Sequence, residues 1–367
     1  MEVADIMVTA DVETLAGSLV SGTKGFLAID ESVRTCNKRF ARVGIPETIE
    51  MRRAWRETLI TTPGLSEFIS GVILYDETIE QQASDGTPFL DILRSAGIAA
   101  GIKVDTGTVP LAGHANEKVT EGLDGLRQRL DRYSRLGASF AKWRAIFSVQ
   151  PDMPSAAAVA ANAHGLARYA ALCQEAGLVP VVEPEVLMRG SHSIQDCEET
   201  TEFVLRTVFS ELHEQGVRLE GMILKPNMVV PGADSSGNVS ATLVARATLR
   251  CLRRVVPAAV PGVLFLSGGQ PGEIVSTRLN AMSSSRPDGP GPHPWEVGFS
   301  FGRAIQQPAL AFWRGEPSRV GKAQSAILHR ARCNAAARQG LYSPAMEESL
   351  GASTGSHSPV ERAASSV

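Results

Sequence analysis

Three lysines, Lys103, Lys142 and Lys225, interrupt apolar runs, and Asp30, Asp105, Glu183 and Glu185 stand in runs of the same kind. Only seven of the 36 basic residues are lysine, so arginine carries most of the positive charge. Arginine stays protonated, whereas a lysine that is buried or crowded by charge can lose its proton and attack as an amine. Lys142 with Arg144, and Glu183 with Glu185, are spaced so that on a strand both members of each pair share one face. An amine beside carboxylates suits Schiff-base chemistry. A lysine whose ammonium is disfavoured by a neighbouring cation attacks a ketone, and the iminium takes up the electrons of a breaking C–C bond. The step needs a base for a hydroxyl proton, an acid to expel water from the carbinolamine, and anchors for anionic groups. Asp30, Glu183, Lys142 and the Ser267–Gly269 loop with Arg303 have the types for these roles. Residue type alone leaves Lys142 and Lys225 both open as the nucleophile.

Such residues converge only if the elements carrying them do. Eight short runs recur: GFLAID (25–30), ISGVILYD (69–76), AAGIKVD (99–105), ASFAKWR (138–144), LVPVVEPEV (178–186), EGMILKPNMV (220–229), GVLFLSGG (262–269) and EVGFSFGRA (296–304). Their apolar, β-branched character predicts buried parallel strands. Amphipathic helices are expected between them, over Thr120–Leu136, Ser155–Ala176, Gln195–Gln215 and Thr242–Val256, with Gly137, Gly177 and Gly216 placed as C-caps of the first three. Eightfold alternation predicts an α/β fold, a single (β/α)₈ TIM barrel whose active site gathers at the C-terminal strand ends. A doubly wound open sheet is the structural alternative. The barrel domain is expected over 1–342, with 1–20 as an N-terminal helical extension and 343–367 as a flexible C-terminal tail. Ser283–Pro294 reads as a loop. Trp143, between two mouth-facing residues, is expected to face the helices.

Composition narrows the function. A net charge of −3 offers no basic face for nucleic acid or anionic membrane, and no run of about 18 apolar residues is present to span a bilayer. The acidic start lacks the basic n-region of a signal peptide, and the five cysteines are dispersed without C-x-x-C, so a cytoplasmic protein with reduced thiols is expected. The seven histidines show no H-E-x-x-H spacing, which predicts no catalytic metal and no cofactor. LSGGQ also occurs as a signature loop of ATP-driven transporters, but the G-x-x-x-x-G-K-[ST] loop that reading requires is missing.

LAIDES (27–32), GIKVDTGTVPLAG (101–113), EGLDGL (121–126), AKWR (141–144), EPE (183–185), LKPNM (224–228), LSGGQ (266–270) and FSFGRAIQ (299–306) together resemble class I fructose-bisphosphate aldolase, in order, across residues 20–342. The resemblance implies reversible, metal-independent cleavage of fructose 1,6-bisphosphate to dihydroxyacetone phosphate and glyceraldehyde 3-phosphate. Sedoheptulose 1,7-bisphosphate is a further implied substrate, and a homotetramer the implied assembly. It makes Lys225 the Schiff-base lysine, Glu183 the acid/base for carbinolamine dehydration and Asp30 the base for the C4 hydroxyl, with Lys142 assisting and Glu185 tuning the cluster. Phosphate contacts would fall to Ser267, Gly268, Gly269, Ser300, Gly302 and Arg303 at one end. Arg39, Lys38 and Lys103 would serve the other end or its neighbouring loops, and Arg144 is a further implied substrate contact. Thr106 stands where the family carries lysine, removing one cation. Val367 stands where the family carries a terminal tyrosine, which implies slower proton exchange on the enamine. Another Schiff-base aldolase or transaldolase on phosphosugars is the enzymatic alternative, and a scaffold for acidic partners the non-enzymatic one.

Overall fold

The computed structural model describes residues 3–237, 239–284 and 293–352. Eight parallel strands close into a barrel: β1 (Gly25–Ala28), β2 (Ile69–Leu74), β3 (Ala99–Lys103), β6 (Phe140–Phe147), β7 (Val179–Val186), β8 (Ile223–Leu224), β9 (Gly262–Phe265) and β10 (Glu296–Phe301). They follow one another around the barrel in chain order, and β10 closes on β1 through Phe26↔Ser300 and Leu27↔Phe301. Each of the eight apolar runs supplies one strand, so the (β/α)₈ expectation holds. Strands β1, β3, β8 and β9 stop short of their runs, so that Asp30, Asp105, Lys225 and Ser267 lie just past the strand ends at the mouth, whereas β6 runs on past its run to Phe147.

Helices α1 (Val3–Val20), α2 (Val33–Ala41), α3 (Ile49–Ile60), α4 (Asp76–Ile79), α5 (Phe89–Ser95), α6 (Leu126–Leu136), α7 (Ala156–Glu175), α8 (Ile194–Glu214), α9 (Ala241–Val255), α10 (Gly272–Ser284), α11 (Arg303–Trp313), α12 (Val320–Arg338) and α13 (Ala345–Ala352) complete the described chain. Three of the four expected helices fall within one residue of their observed limits. Their starts are set by Ser155, Ser193 and Ser240, whose side chains accept the backbone N–H three residues on. The fourth starts late. Lys118–Glu121 is instead strand β5, paired antiparallel with β4 (Gly107–Pro110) outside the barrel. Gly122 and Gly125, at φ 129° and 64°, then break the path before α6.

Inward-facing positions change character along each strand. Phe26, Ile73, Phe140, Val181, Ile223 and Leu264 fill the N-terminal half of the barrel, with Phe26 stacked on Phe140 at 4.8 Å. Val12, Ala16, Leu19 and Val20 of α1 pack into the same cluster and cap that end. Two residues further along the same faces stand Lys142, Glu183 and Lys225. Trp143 points the other way and stacks on Tyr169 of α7 at 5.6 Å.

The segment from Ser343, expected as a flexible tail, carries helix α13 at its start. Glu347 accepts hydrogen bonds there from Tyr342 and Arg330, tertiary partners that no local periodicity reveals. Residues 353–367, including Val367, and residues 285–292 of the Pro/Gly-rich loop lie outside the described residues. All five cysteines are free and buried. Among the described residues no helix is long and apolar enough to cross a membrane.

Candidate active site

One carboxylate joins the two lysines left open by the sequence. Glu183, from β7, sets Oε2 2.8 Å from Lys142 Nζ and Oε1 3.5 Å from Lys225 Nζ. Lys142, from β6, also reaches Asp30 Oδ2 at 2.8 Å, just past the end of β1. Lys142, Glu183 and Lys225 are each less than 5% exposed. Their states differ. Burial works against charge on Lys142, but Asp30 and Glu183 overcome it and hold its pKa well above the ordinary lysine value. Burial likewise opposes ionisation of Asp30, and Lys142 and Lys225 together hold its carboxyl well below the usual range. Lys225 is pushed down, first by burial and then by the Lys142 charge, against the pull of Glu183 and Asp30. The neighbouring cation expected from the sequence is present, but burial is the larger cause.

Glu185 lies one pleat beyond Glu183 and pairs with Arg144 at 2.5 Å, so both i, i+2 pairs face the mouth as their spacing implies. These residues line a cavity of about 1810 Å³. On one side it is bounded by Ser267, Gly268 and Gly269, after β9, and by Ser300, Gly302 and Arg303 at the end of β10 and the start of α11. Gly268 and Gly269 take φ of 59° and 93°. A Cβ on Gly269 would lie 2.7 Å from Arg303 Nη1, so glycine lets the guanidinium lie against the loop. Ser300 Oγ is buried and has no hydrogen-bond partner among the described residues, which leaves its donor and acceptor capacity for the cavity it lines. Arg303 makes no ion pair among the described residues, and burial lowers its pKa, with Arg39 adding to the effect. A cation without an ion-pair partner among the described residues, glycine loop amides and a helix N-terminus on one wall suit a phosphate.

Arg39, near enough to act on Arg303, pairs with Glu31 at 2.5 Å, and elsewhere on the cavity wall Lys103 pairs with Asp105 at 2.7 Å beside the Tyr75 ring. Thr106 lines the cavity. Lys38 is a correction: it is exposed and does not line the cavity. It precedes Arg39 on α2, and consecutive helical residues point about 100° apart, so both cannot face the mouth. Sequence reasoning missed Glu31, although it lies inside the LAIDES motif. Its carboxylate also binds the buried Arg56 at 2.9 Å and accepts a hydrogen bond from Gln306 Nε2 at 2.7 Å, tying α2, α3 and α11 to the end of β1. Arg42 and Arg189, two further cavity cations, carried no signal.

Known proteins are similar to this chain in sequence and in fold. The family model of class-I fructose-bisphosphate aldolase matches residues 11–359. A protein of Xanthomonas axonopodis pv. citri named "Probable fructose-bisphosphate aldolase class 1" is 52% identical over 328 residues, 89% of this chain and 97% of its own length. "Fructose-bisphosphate aldolase 6, cytosolic" of Arabidopsis thaliana is 50% identical over 332 residues, 90% of this chain and 91% of that protein. Fructose-bisphosphate aldolase from Plasmodium falciparum, solved in complex with TRAP and a small molecule inhibitor, superposes with a TM-score of 0.89 at 44% identity, covering 92% of this chain and 96% of that one. The order of charged strand ends around the barrel, the lysine–carboxylate cluster and these likenesses agree: the chain belongs to the class I fructose-bisphosphate aldolase family.

Proposed function

We propose that Lys225 is the nucleophile in the aldolase reaction of this family, the reversible cleavage of fructose 1,6-bisphosphate through a lysine Schiff base. The observation that carries the assignment is the contrast between two lysines sharing Glu183: Lys142 is held as ammonium, and Lys225 is pushed toward the neutral amine. Lys225 Nζ attacks the C2 ketone, and Glu183 supplies the proton with which the carbinolamine hydroxyl leaves as water. Asp30, ionised beside Lys142, accepts the C4 hydroxyl proton. The C3–C4 bond then breaks, its electron pair passes into the iminium to give an enamine, and glyceraldehyde 3-phosphate departs. Protonation of the enamine at C3 and hydrolysis release dihydroxyacetone phosphate and restore the amine. Lys142 holds both carboxylates in place, and Glu185 orients Arg144. Ser267, Gly268, Gly269, Ser300, Gly302 and Arg303 take one phosphate, and Arg39, Lys103 and Arg144 are further substrate contacts.

Sedoheptulose 1,7-bisphosphate is carried over from the resemblance as a second substrate, since it presents the same ketose end to Lys225 whatever the length of the aldehyde fragment. The cytosolic designation of the Arabidopsis relative supports a cytoplasmic location. The homotetramer is carried over from the family resemblance, and sedimentation equilibrium tests it. Borohydride reduction with dihydroxyacetone phosphate in chelator, followed by peptide mapping, tests the nucleophile. A stable adduct on Lys225 is expected. An adduct on Lys142, or trapping that requires divalent ions, overturns the assignment.

A further inference from the structure

His329 and Cys333 stand four residues apart on one face of α12, and α13 brings Glu347 against them. His329 Nε2 lies 3.0 Å from Glu347 Oε2 and 3.6 Å from Cys333 Sγ, and one ligand-type atom from each residue falls within 4.8 Å of the others. Cys333 is fully buried, and the His329 side chain is 8% exposed. The two oxygens of Glu347 have separate surroundings. Oε1 accepts hydrogen bonds from the Tyr342 hydroxyl at 2.7 Å and from Arg330 Nη1 at 2.5 Å, while Oε2 is turned toward His329. A ligating carboxylate is built in this way, with one oxygen toward the ion and the other fixed by donors behind it. None of the three residues lines the catalytic cavity.

We propose that His329, Cys333 and Glu347 form a zinc-type divalent metal site that clamps α13 to α12, separate from the aldolase chemistry. One imidazole, one thiolate and one carboxylate are donors that zinc accepts in a site of three protein ligands, with water as the fourth. Zinc bonds of about 2.0–2.3 Å place tetrahedral donors roughly 3.3–3.8 Å apart. The Cys333–His329 separation already meets that geometry, and the His329–Glu347 contact opens by about half an ångström to admit the ion. On binding, the Cys333 S–H gives its proton to solvent, and no electron transfer is involved. The two anionic donors offset the ion's charge, and Arg330 remains behind the carboxylate on Oε1.

Cobalt(II) titration of the full chain, stripped with chelator and then freed of it, tests the site. One equivalent is expected to bind with a thiolate-to-cobalt charge-transfer band in the near ultraviolet. Cys333→Ala abolishes the band, Glu347→Gln weakens cobalt binding at least tenfold, and both variants keep aldolase activity as proof of folding. Zinc raises the Tm of the parent and not that of Cys333→Ala, while chelator lowers the parent's Tm without reducing turnover. Absence of the band at stoichiometric cobalt, or its persistence in Cys333→Ala, overturns the proposal and leaves a hydrogen-bonded latch. If Cys333→Ala fails to fold, Glu347→Gln, altered at a partly exposed position, gives the same decision through the affinity alone.

Discussion

Lys225 Nζ lies 3.5 Å from Glu183 Oε1, while the other oxygen of that carboxylate is held by Lys142. In the proposed reaction one carboxyl group therefore faces an amine that must bond to carbon and an ammonium that must not. The difference comes from neighbours. Lys142 is flanked by two carboxylates at 2.8 Å each, and Lys225 by one at longer range.

Removing the Lys142 charge should move the working pH. That charge lowers the Lys225 pKa, and without it only burial stands against the raising pull of Glu183 and Asp30. In Lys142→Met the acid limb of Schiff-base formation is expected at higher pH than in the parent, with kcat lower by about 10²–10⁴-fold. A pH profile of borohydride trapping reads the limb. An unmoved limb contradicts the coupling.

Lys225→Met should inactivate and stabilise together. Because burial lowers the folded-state pKa of Lys225 below its unfolded value, the folded state resists a charge that the unfolded chain carries freely, at every pH below that unfolded value. Methionine retains the volume without the amine. Activity is expected to fall by more than about 10⁴-fold while Tm rises. Calorimetry alongside the assay decides; a lowered Tm refutes the electrostatic cost.

Asp30 predicts the acid behaviour. Its folded pKa lies below the unfolded value, so its ion pair contributes stability above about pH 4 that is lost as pH falls toward the folded value. Urea unfolding at pH 6 should show Asp30→Asn less stable than the parent, and at pH 3 the gap should narrow. A gap constant with pH would show that packing, and not charge, sets the loss.

At the anion wall, Gly269→Ala should damage binding more than folding. The new methyl carbon would lie 2.7 Å from Arg303 Nη1, on backbone at φ 93°. Arg303 must swing away. KM for fructose 1,6-bisphosphate is expected to rise at least tenfold with little change in Tm. An unchanged KM would remove Arg303 from the phosphate site.

The barrel was legible because each strand is a compact apolar run, and the mouth because Lys142/Arg144 and Glu183/Glu185 keep a two-residue period. Hairpin β4–β5 escaped because four-residue strands outside the barrel carry too short an alternation, and Thr120 reads equally well as the start of a helix. The role of Glu31 was hidden for another reason. Its partner Arg56 is 25 residues distant, and nothing local marks that meeting. Lys38 was carried over from the family resemblance, and the turn of α2 between it and Arg39 leaves it outside the cavity. Helix α13 is held by Glu347 contacts that only the tertiary fold creates.

The plug that α1 makes at the foot of the barrel turns the molecule into a cup with a single opening. Sugar enters and both trioses leave by the same doorway. In the proposed reaction one fragment is still bonded to Lys225 as an enamine when the aldehyde is set free, so the aldehyde goes first through that doorway.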